Sequence, residues 1–289
     1  MSNYIEYNNT MAFHPGYYIQ ELVENSGLTQ EDFAKRLDTT PKNLSLLIRG
    51  EQSLSIDIAM KLSRLLDTTV EFWLTMQSAY DTAIAELKSN HELQRERAIF
   101  KYFSYEYFAQ HYHLPLEAQS IDEQIKFVRK VLQLSSLSIL TKPNTIANCK
   151  LTTNTLTERE IISNNIMTQL GINQVLQSEA PKFTKTKIKD SINFLDALYL
   201  DKQFNQDILL NSHDNQLNRI ADSLLASGII LASIPKFPGA TLKSATKKLG
   251  SKVMLLINTT PQESVISLDI VYQELHNIAH GDYGITIAN

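Results

Sequence analysis

Polar and basic residues that could recognise DNA concentrate in a short stretch of the chain, ending at Arg49. The Lys42 ammonium can donate to guanine, the Asn43 amide can pair with adenine, and the Ser45 hydroxyl can contact a base or a phosphate. These residue types, closely spaced, predict a surface that hydrogen-bonds to the edges of DNA bases.

Predicted helix N-termini beside this stretch add groups that bind phosphate. Thr29 and Thr40 are of the residue type favoured at helix N-caps, and Pro41 suits a first helical turn. Backbone N–H groups and polar side chains at such ends, including Gln30, can hold phosphates. We therefore expect Thr29, Gln30 and Thr40 to contact the DNA backbone.

The helix predicted to carry Lys42 also has an apolar back. Leu44, Leu47 and Ile48 share one face, and Gly50 ends the helix. Two short helices joined by a tight turn, the second with a buried back and a polar front, form a DNA-binding helix-turn-helix. Residues 28–50 predict this arrangement.

The distribution of charge supports a local basic surface. The chain has a net charge of −4, and residues 1–80 hold six Lys or Arg against ten Asp or Glu. Four of those six cations lie between positions 35 and 49, where Asp38 is the single acid. Because phosphate neutralisation drives much of the affinity for DNA, we expect modest non-specific binding.

The remaining pattern predicts a mainly α protein. A flexible tail over 1–10 precedes five short helices within 11–80, and a helical connector with a polar linker over 141–157 fills 81–157. An α+β domain is expected over 158–289. Its predicted elements are helices near 158–176, 185–198 and 216–226, strands at 228–234 and 252–257, and a last helix near 261–280.

The N-terminal region resembles the Cro-like (XRE) family of regulators with a lambda-repressor-like domain, and within it the HigA-type antitoxins. The resemblance lies in residues 13–16, 28–34, 44–50, 55–66 and 71–74, including a Pro-Gly opening and a Glu-Phe-Trp-Leu element. It implies autorepression of an operon, binding to palindromic operator DNA as a homodimer, and, in antitoxins, a small toxin protein as partner. By resemblance, bases face Gln30, Pro41, Lys42, Asn43 and Ser45, and phosphates face Thr29, Thr40 and Arg49.

Residues 228–284 resemble the zincin-like ImmA/IrrE metallopeptidase domain, whose last helix carries His-Glu-x-x-His. In that pattern two histidines bind zinc and the glutamate activates water. The alignment that retains Glu274 puts Gln273 and Asn277 at the ligand positions. A shifted alignment keeps His276 and His280 but puts Asn277 in place of the glutamate. The resemblance therefore implies a degenerate domain without catalytic residues, a metal or another cofactor, in which Glu274 has a structural role.

Other features exclude some classes of protein. Cys149 is the single cysteine, so no intrachain disulfide or cysteine cluster can form. No apolar run is long enough for a membrane span, and the first residues lack the pattern of a secretion signal, so a cytoplasmic location is expected. Two alternatives stay open: a metal-dependent peptidase that acts on a repressor or toxin, and a scaffold whose helix-turn-helix only mediates dimerisation. Whether His276 and His280 bind a metal also stays open.

Overall fold

The computed structural model describes residues 4–7, 10–116, 120–150, 156–200, 207–209, 215–258 and 265–287. The chain forms two compact units, Met1–Leu93 and Gln94–Asn289. The sequence predicts boundaries after residues 80 and 157 instead. The first of these predicted boundaries falls within the fifth helix, which does not end near Tyr80 but continues to Phe100.

The N-terminal unit contains a hairpin followed by helices. Its elements are β1 (Tyr4–Tyr7), β2 (Thr10–Phe13), α1 (Pro15–Asn25), α2 (Gln30–Arg36), α3 (Pro41–Ile48), α4 (Ile56–Leu66) and α5 (Val70–Phe100), which extends past the end of the unit. The hydroxyls of Thr29, Thr40 and Ser55 each accept the backbone N–H three residues later. The predicted starts of α2 and α3 are confirmed.

Residues 1–10 are expected to form a flexible tail, but the described part of this segment is a strand. β1 pairs antiparallel with β2, and Tyr4 lies opposite Phe13. Their ring centroids are 5.8 Å apart. The backbone pairing and this aromatic contact join the segment to β2, and its polar composition gives no sign of either.

Helices and a small sheet make up the second unit. Its helices are α6 (Tyr105–Tyr112), α7 (Ile121–Leu132), a 3-10 helix (Leu137–Thr141), α8 (Glu158–Gln177), α9 (Lys185–Leu200), α10 (Asn215–Ala226) and α11 (Leu268–His280). Its strands are β3 (Asp207–Leu209), β4 (Ile229–Ala232), β5 (Leu242–Leu249), β6 (Lys252–Ile257), β7 (Val265–Ser267) and β8 (Ile285–Ile287).

The sheet of four strands has the order β4-β6-β5-β8. β4 and β6 are parallel, whereas β5 pairs antiparallel with both β6 and β8. β3 and β7 form a separate antiparallel pair. The two predicted strands correspond to β4 and β6, and the strands β5 and β8 were not predicted from the sequence because their residues lack a long apolar run.

A polar linker is expected over 141–157. Those of its residues that the structure describes belong instead to the second unit. Ile146 and Ala147 are buried. The Lys150 N–H donates to the Ile285 carbonyl at 2.8 Å, and the Ile285 N–H donates to the Asn148 carbonyl at 2.7 Å. These bonds attach the segment to β8, while residues 151–155 lie outside the described part of the chain.

The last helix begins later than predicted, at Leu268 rather than near residue 261. Residues 265–267 form β7, and residues 261–264 lie outside the described residues. None of the helices in the described ranges contains a stretch long and apolar enough to cross a lipid bilayer.

Candidate nucleic-acid interface

The close approach of α1 to α3 positions the candidate recognition helix. A Cβ atom on Gly16 would lie 1.9 Å from the Leu47 carbonyl oxygen, so only glycine fits at this position. His14 caps α1, because its Nδ1 accepts the Gly16 N–H at 3.0 Å. Burial lowers the pKa of His14, which favours the neutral imidazole that this cap requires.

α3 has the two faces that a recognition helix needs. Leu44 and Leu47 are buried in the core of the N-terminal unit, with 1% and 4% of their surface exposed. Pro41, Lys42 and Asn43 are exposed at the N-terminal end of the helix. The burial of the back of α3 therefore leaves an amide and an ammonium group facing solvent.

The hydroxyls of the two capping threonines differ in their freedom to bind phosphate. The Thr29 hydroxyl accepts the Asp32 N–H at 3.1 Å and donates to the Asp32 carboxylate at 2.7 Å. The second bond lowers the pKa of Asp32. The Thr40 hydroxyl accepts the Asn43 N–H at 3.1 Å, which leaves its hydrogen free for a further acceptor. Thr40 is therefore better suited than Thr29 to donate to a phosphate.

Arg49 lies beside a carboxylate that is just outside the basic stretch of residues 35–49. Its Nε donates to Glu51 at 2.8 Å and its Nη2 at 3.2 Å, and its Nη1 donates to the Ser45 hydroxyl at 2.7 Å. This pairing raises the pKa of Arg49 and lowers that of Glu51. Glu51 follows Arg49 by only two residues. A local count of charges that extends to residue 51 therefore includes this acid.

Two further cations of this unit are also held by acids. Lys35 lies 3.0 Å from Glu31 and 3.6 Å from Asp32. Lys61 lies 3.0 Å from Asp57 and 3.2 Å from Asp38. The ion pairs within the described residues do not include Lys42. The ammonium group at the start of α3 is therefore available to a ligand, whereas the three paired cations must first exchange partners.

Gln30 is the first residue of α2 and is exposed there. Ser45 is half-buried and lies one helical turn from Arg49, which donates to it. The structure thus places all eight predicted contact residues on or beside α2 and α3. It shows the side chains of Lys42 and Asn43 at the surface and the hydroxyl of Thr29 already paired.

The second candidate set, on α11, surrounds a buried carboxylate. Glu274 is 1% exposed, and its Oε1 accepts from the Ser244 and Thr286 hydroxyls, each at 2.7 Å. Its Oε2 accepts from the Asn277 amide at 3.2 Å and the Lys150 ammonium at 3.3 Å. A lysine cation and three neutral donors therefore saturate this carboxylate. This set of donors does not fit a zinc site with an activated water, because the groups around Glu274 are not metal ligands.

His276 and His280 bond to the backbone of their own helix. Nδ1 of His276 lies 3.0 Å from the Tyr272 carbonyl oxygen, and Nδ1 of His280 lies 2.7 Å from the His276 carbonyl oxygen. Within the described ranges, no three His, Cys, Asp or Glu side chains form a group that could hold a metal ion.

Comparison with known proteins identifies a family match in the N-terminal part of the chain. The helix-turn-helix family (HTH_3) matches residues 19–73. Virulence-associated protein I of Dichelobacter nodosus is 32% identical over 80 residues, which are 27% of this chain and 74% of that protein. The uncharacterized HTH-type transcriptional regulator YddM of Escherichia coli K12 is 33% identical over 78 residues, which are 26% of this chain and 83% of that protein.

A solved structure is also similar to part of the chain. It is an addiction module antidote protein of a HigA family from Coxiella burnetii, with 31% identity and a TM-score of 0.27. The alignment covers 29% of this chain and 94% of the other. Through its N-terminal unit, and on the strength of the sequence relatives, the chain belongs to the helix-turn-helix family of transcriptional regulators.

Proposed function

We propose that this protein is a sequence-specific transcriptional regulator in which α3 enters the major groove of double-stranded operator DNA. A relative is described as an HTH-type transcriptional regulator, and the helix-turn-helix family match at residues 19–73 includes α3. In this proposal, bases are read by Gln30, Pro41, Lys42, Asn43 and Ser45, and phosphates are held by Thr29, Thr40 and Arg49. Pro41 contributes an apolar contact, because it has neither a backbone N–H nor a polar side chain.

One observation carries the proposal: Lys42 and Asn43 are exposed on the first turn of a helix whose opposite face is buried. The N-terminal residues of a recognition helix are the ones that reach base edges. An asparagine can bond to adenine through two atoms, and a lysine can donate to guanine. These contacts discriminate between sequences, whereas phosphate contacts mainly set position.

The regulator is proposed to bind as a homodimer to a palindromic site. Two recognition helices related by a two-fold axis would enter major grooves about 34 Å apart, which is one turn of DNA. Autorepression follows if the operator lies upstream of the gene for this chain. A protein with this role acts where the DNA is, in the cytoplasm.

Binding of the full chain to fluorescent DNA tests the proposal. The probe is the region upstream of its own gene, and the competitor is a scrambled duplex of equal length and composition. Each good base contact contributes about 1–3 kcal/mol, so Lys42→Ala and Asn43→Ala should each lose about 5-fold to 150-fold in affinity for the operator. Lys88→Ala on α5 is the control and should bind normally. Equal affinity of the natural protein for both duplexes would contradict the proposal.

We further propose that the protein is the antitoxin of a HigBA-like pair. The Pro-Gly opening at residues 15–16 and the Glu-Phe-Trp-Leu element at residues 71–74 support this narrower assignment. The test is to clone the neighbouring open reading frame and produce its product with and without this chain. Growth arrest that is relieved by co-production supports the assignment, and a harmless neighbour contradicts it.

The C-terminal part is proposed to be a degenerate peptidase-like domain that binds a partner instead of cleaving one. The saturated Glu274 carboxylate supports this proposal over the alternative, a metal-dependent peptidase. Elemental analysis of the purified full chain is the test. We expect less than stoichiometric zinc, and one zinc ion per chain would favour the peptidase.

A further inference from the structure

Exposed lysines cluster around the start of α9, in the second unit. Residues 180–189 lie between Glu179 and Asp190 and contain four lysines but no acidic residue. All four lysines are exposed: Lys182, Lys185, Lys187 and Lys189. Because the whole chain has a net charge of −4, this density of positive charge is a local feature of the surface.

The turn between β5 and β6 adds positive charge beside this segment. The Phe183 N–H donates to the Ser251 carbonyl at 2.7 Å, so Lys182 lies next to the turn. Residues 246–253, which form the turn and its flanks, contain three lysines and no acidic residue. Of these lysines, Lys248 is fully exposed. Two separate parts of the sequence therefore bring lysines to one place.

Lys248 lies on the face of the sheet that α9 covers. It pairs with Val253, and residues directly opposite each other in an antiparallel pair share a face. Val253 belongs to the same buried cluster as Ile188 of α9. Lys185 and Lys189 are one helical turn apart and share a side of α9. These exposed residues form a lysine patch, which consists of Lys182, Lys185, Lys189 and Lys248.

The positive charge of the lysine patch is not neutralised within the chain. The ion pairs found in the described ranges include none of its four residues. Lys185 also stands in the first turn of α9, which contains no acidic residue. The helix dipole disfavours a cation at this end and favours an anion there. The arrangement therefore costs α9 some stability, which a bound anion would restore.

The side chains around the patch favour the phosphates of double-stranded DNA over other anions. Residues 180–189 and 246–253 are described throughout, and no large hydrophobic side chain is exposed in either segment. Membrane surfaces and single-stranded nucleic acids are bound with the help of exposed apolar or aromatic groups. Lysine is depleted from protein–protein interfaces. A lysine ammonium can pair with a phosphate as a point charge, without reading a base.

We infer that the lysine patch binds the phosphate backbone of duplex DNA, independently of base sequence. This contact goes beyond the proposed recognition of an operator by α3, because it lies in the second unit and reads no base. When one unit is bound to a duplex, the chain tethers the other unit at a high effective concentration near the same DNA. The patch therefore adds affinity without adding sequence preference.

Titration of a fluorescent scrambled duplex with the full chain, at four salt concentrations, tests the contact. The variant combines Lys182→Gln, Lys185→Gln and Lys189→Gln. Each phosphate contact contributes about 0.9 to the slope of log affinity against log salt concentration, so the slope should become shallower by about 2–3. At low salt we expect the affinity to fall about 10-fold.

A matched control removes three exposed lysines elsewhere in the second unit. It combines Lys101→Gln, Lys126→Gln and Lys130→Gln, which makes the same change of net charge. This control should retain the slope and the affinity of the natural protein. A loss that is confined to the patch variant assigns the contact to the patch and not to the overall charge of the chain.

A second duplex, from the region upstream of the gene for this chain, separates the patch from base recognition. The patch variant should lose the same factor in affinity for both duplexes, so their ratio stays that of the natural protein. Lys42→Ala should lower the ratio instead. If the natural protein shows no preference between the duplexes, the operator proposal fails, while the comparison of salt slopes still tests the patch.

Thermal unfolding without DNA checks that the patch variant is folded. It should unfold at or above the temperature of the natural protein, because Lys185 no longer opposes the helix dipole. If the variant does not fold, Lys248→Gln on the neighbouring turn replaces it and should make the slope shallower by about 0.9.

Three results would overturn the inference. The first is that the folded patch variant keeps the slope and affinity of the natural protein for the scrambled duplex. The second is that the control variant loses as much as the patch variant. The third is that the patch variant loses binding to a polyglutamate peptide but not to the duplex, because the patch then serves an acidic protein.

Discussion

Arg49 and Glu51 form a two-point ion pair, with Arg49 Nε 2.8 Å from one carboxylate oxygen of Glu51 and Nη2 3.2 Å from the other. The arginine side chain is 53% exposed and the glutamate side chain is 40% exposed. A phosphate therefore competes with Glu51 for the Arg49 guanidinium, which has two further N–H groups to donate. This internal competitor reduces the attraction of the candidate interface for any DNA, whatever its sequence.

We predict that Glu51→Gln strengthens non-specific DNA binding several-fold. With the carboxylate removed, Arg49 can neutralise one more phosphate, and each such contact steepens the dependence of log affinity on log salt concentration by about 0.9. The measurement is a titration with a scrambled duplex at four salt concentrations. Glu24→Gln, on α1, is the matched control. Unchanged affinity for the scrambled duplex, with an unchanged salt slope, in Glu51→Gln would contradict this prediction.

The candidate interface could be predicted from the sequence where it depends on residues that are close together in the sequence. Caps such as Thr40 and the apolar spacing of Leu44 and Leu47 are local signals, and the structure confirms the helices that they predict. The pairing of Arg49 with Glu51 depends on side-chain rotamers at the end of α3, and a count of charges does not determine them.

The parts of the fold that sequence patterns missed depend on distant contacts. β5 combines buried Ala245 with the polar Lys247 and Lys248, so it lacks the apolar run that identifies β6. Its pairing with β6 and β8 is what makes it a strand. Residues 146–150 read as a polar linker for the same reason, because their attachment to Ile285 involves backbone groups that every residue has.

Gly16→Ala should both destabilise the N-terminal unit and weaken operator binding. The added methyl group meets the Leu47 carbonyl, so α1 and α3 must separate, at a cost of about 1–3 kcal/mol for an overpacked site. Urea denaturation of this unit and operator titration are the measurements. Gly27→Asn is the control, because a side chain at Gly27 meets no atom within 4 Å and asparagine tolerates its positive φ. Normal stability of Gly16→Ala would contradict the close approach.

The stability of the N-terminal unit should fall as the pH drops from 7 to 5. Burial lowers the pKa of His14 below its ordinary value, although nearby Asp81 opposes the shift. Below about pH 6.5 the unfolded chain takes up a proton that the folded chain resists, so stability is lost as pH falls toward the folded pKa. His14→Asn keeps a capping acceptor without this titration and should show a smaller loss. Urea midpoints at pH 7 and pH 5 compare the two proteins, and equal losses would exclude His14 as the cause.

Glu274 should prove essential for the stability of the second unit. Glu274→Ala removes the acceptor for the Ser244 and Thr286 hydroxyls and leaves the Lys150 ammonium, which is 20% exposed, without its buried partner. Breaking a buried ion pair by removing one partner costs about 3–5 kcal/mol, although Asp282, 3.4 Å from Lys150, reduces this cost.

Thermal unfolding of the full chain measures the effect. Combining Glu274→Ala with Lys150→Met separates the cost of the lost hydrogen bonds from the cost of the unpaired cation. Replacing both charged groups should recover part of the stability lost in Glu274→Ala, because no unpaired cation is then left at the partly buried site. His280→Ala, on the exposed end of the same helix, should unfold at the temperature of the natural protein. If Glu274→Ala unfolds at that temperature too, the carboxylate is not structural. A role for Glu274 in binding or chemistry would then have to be sought.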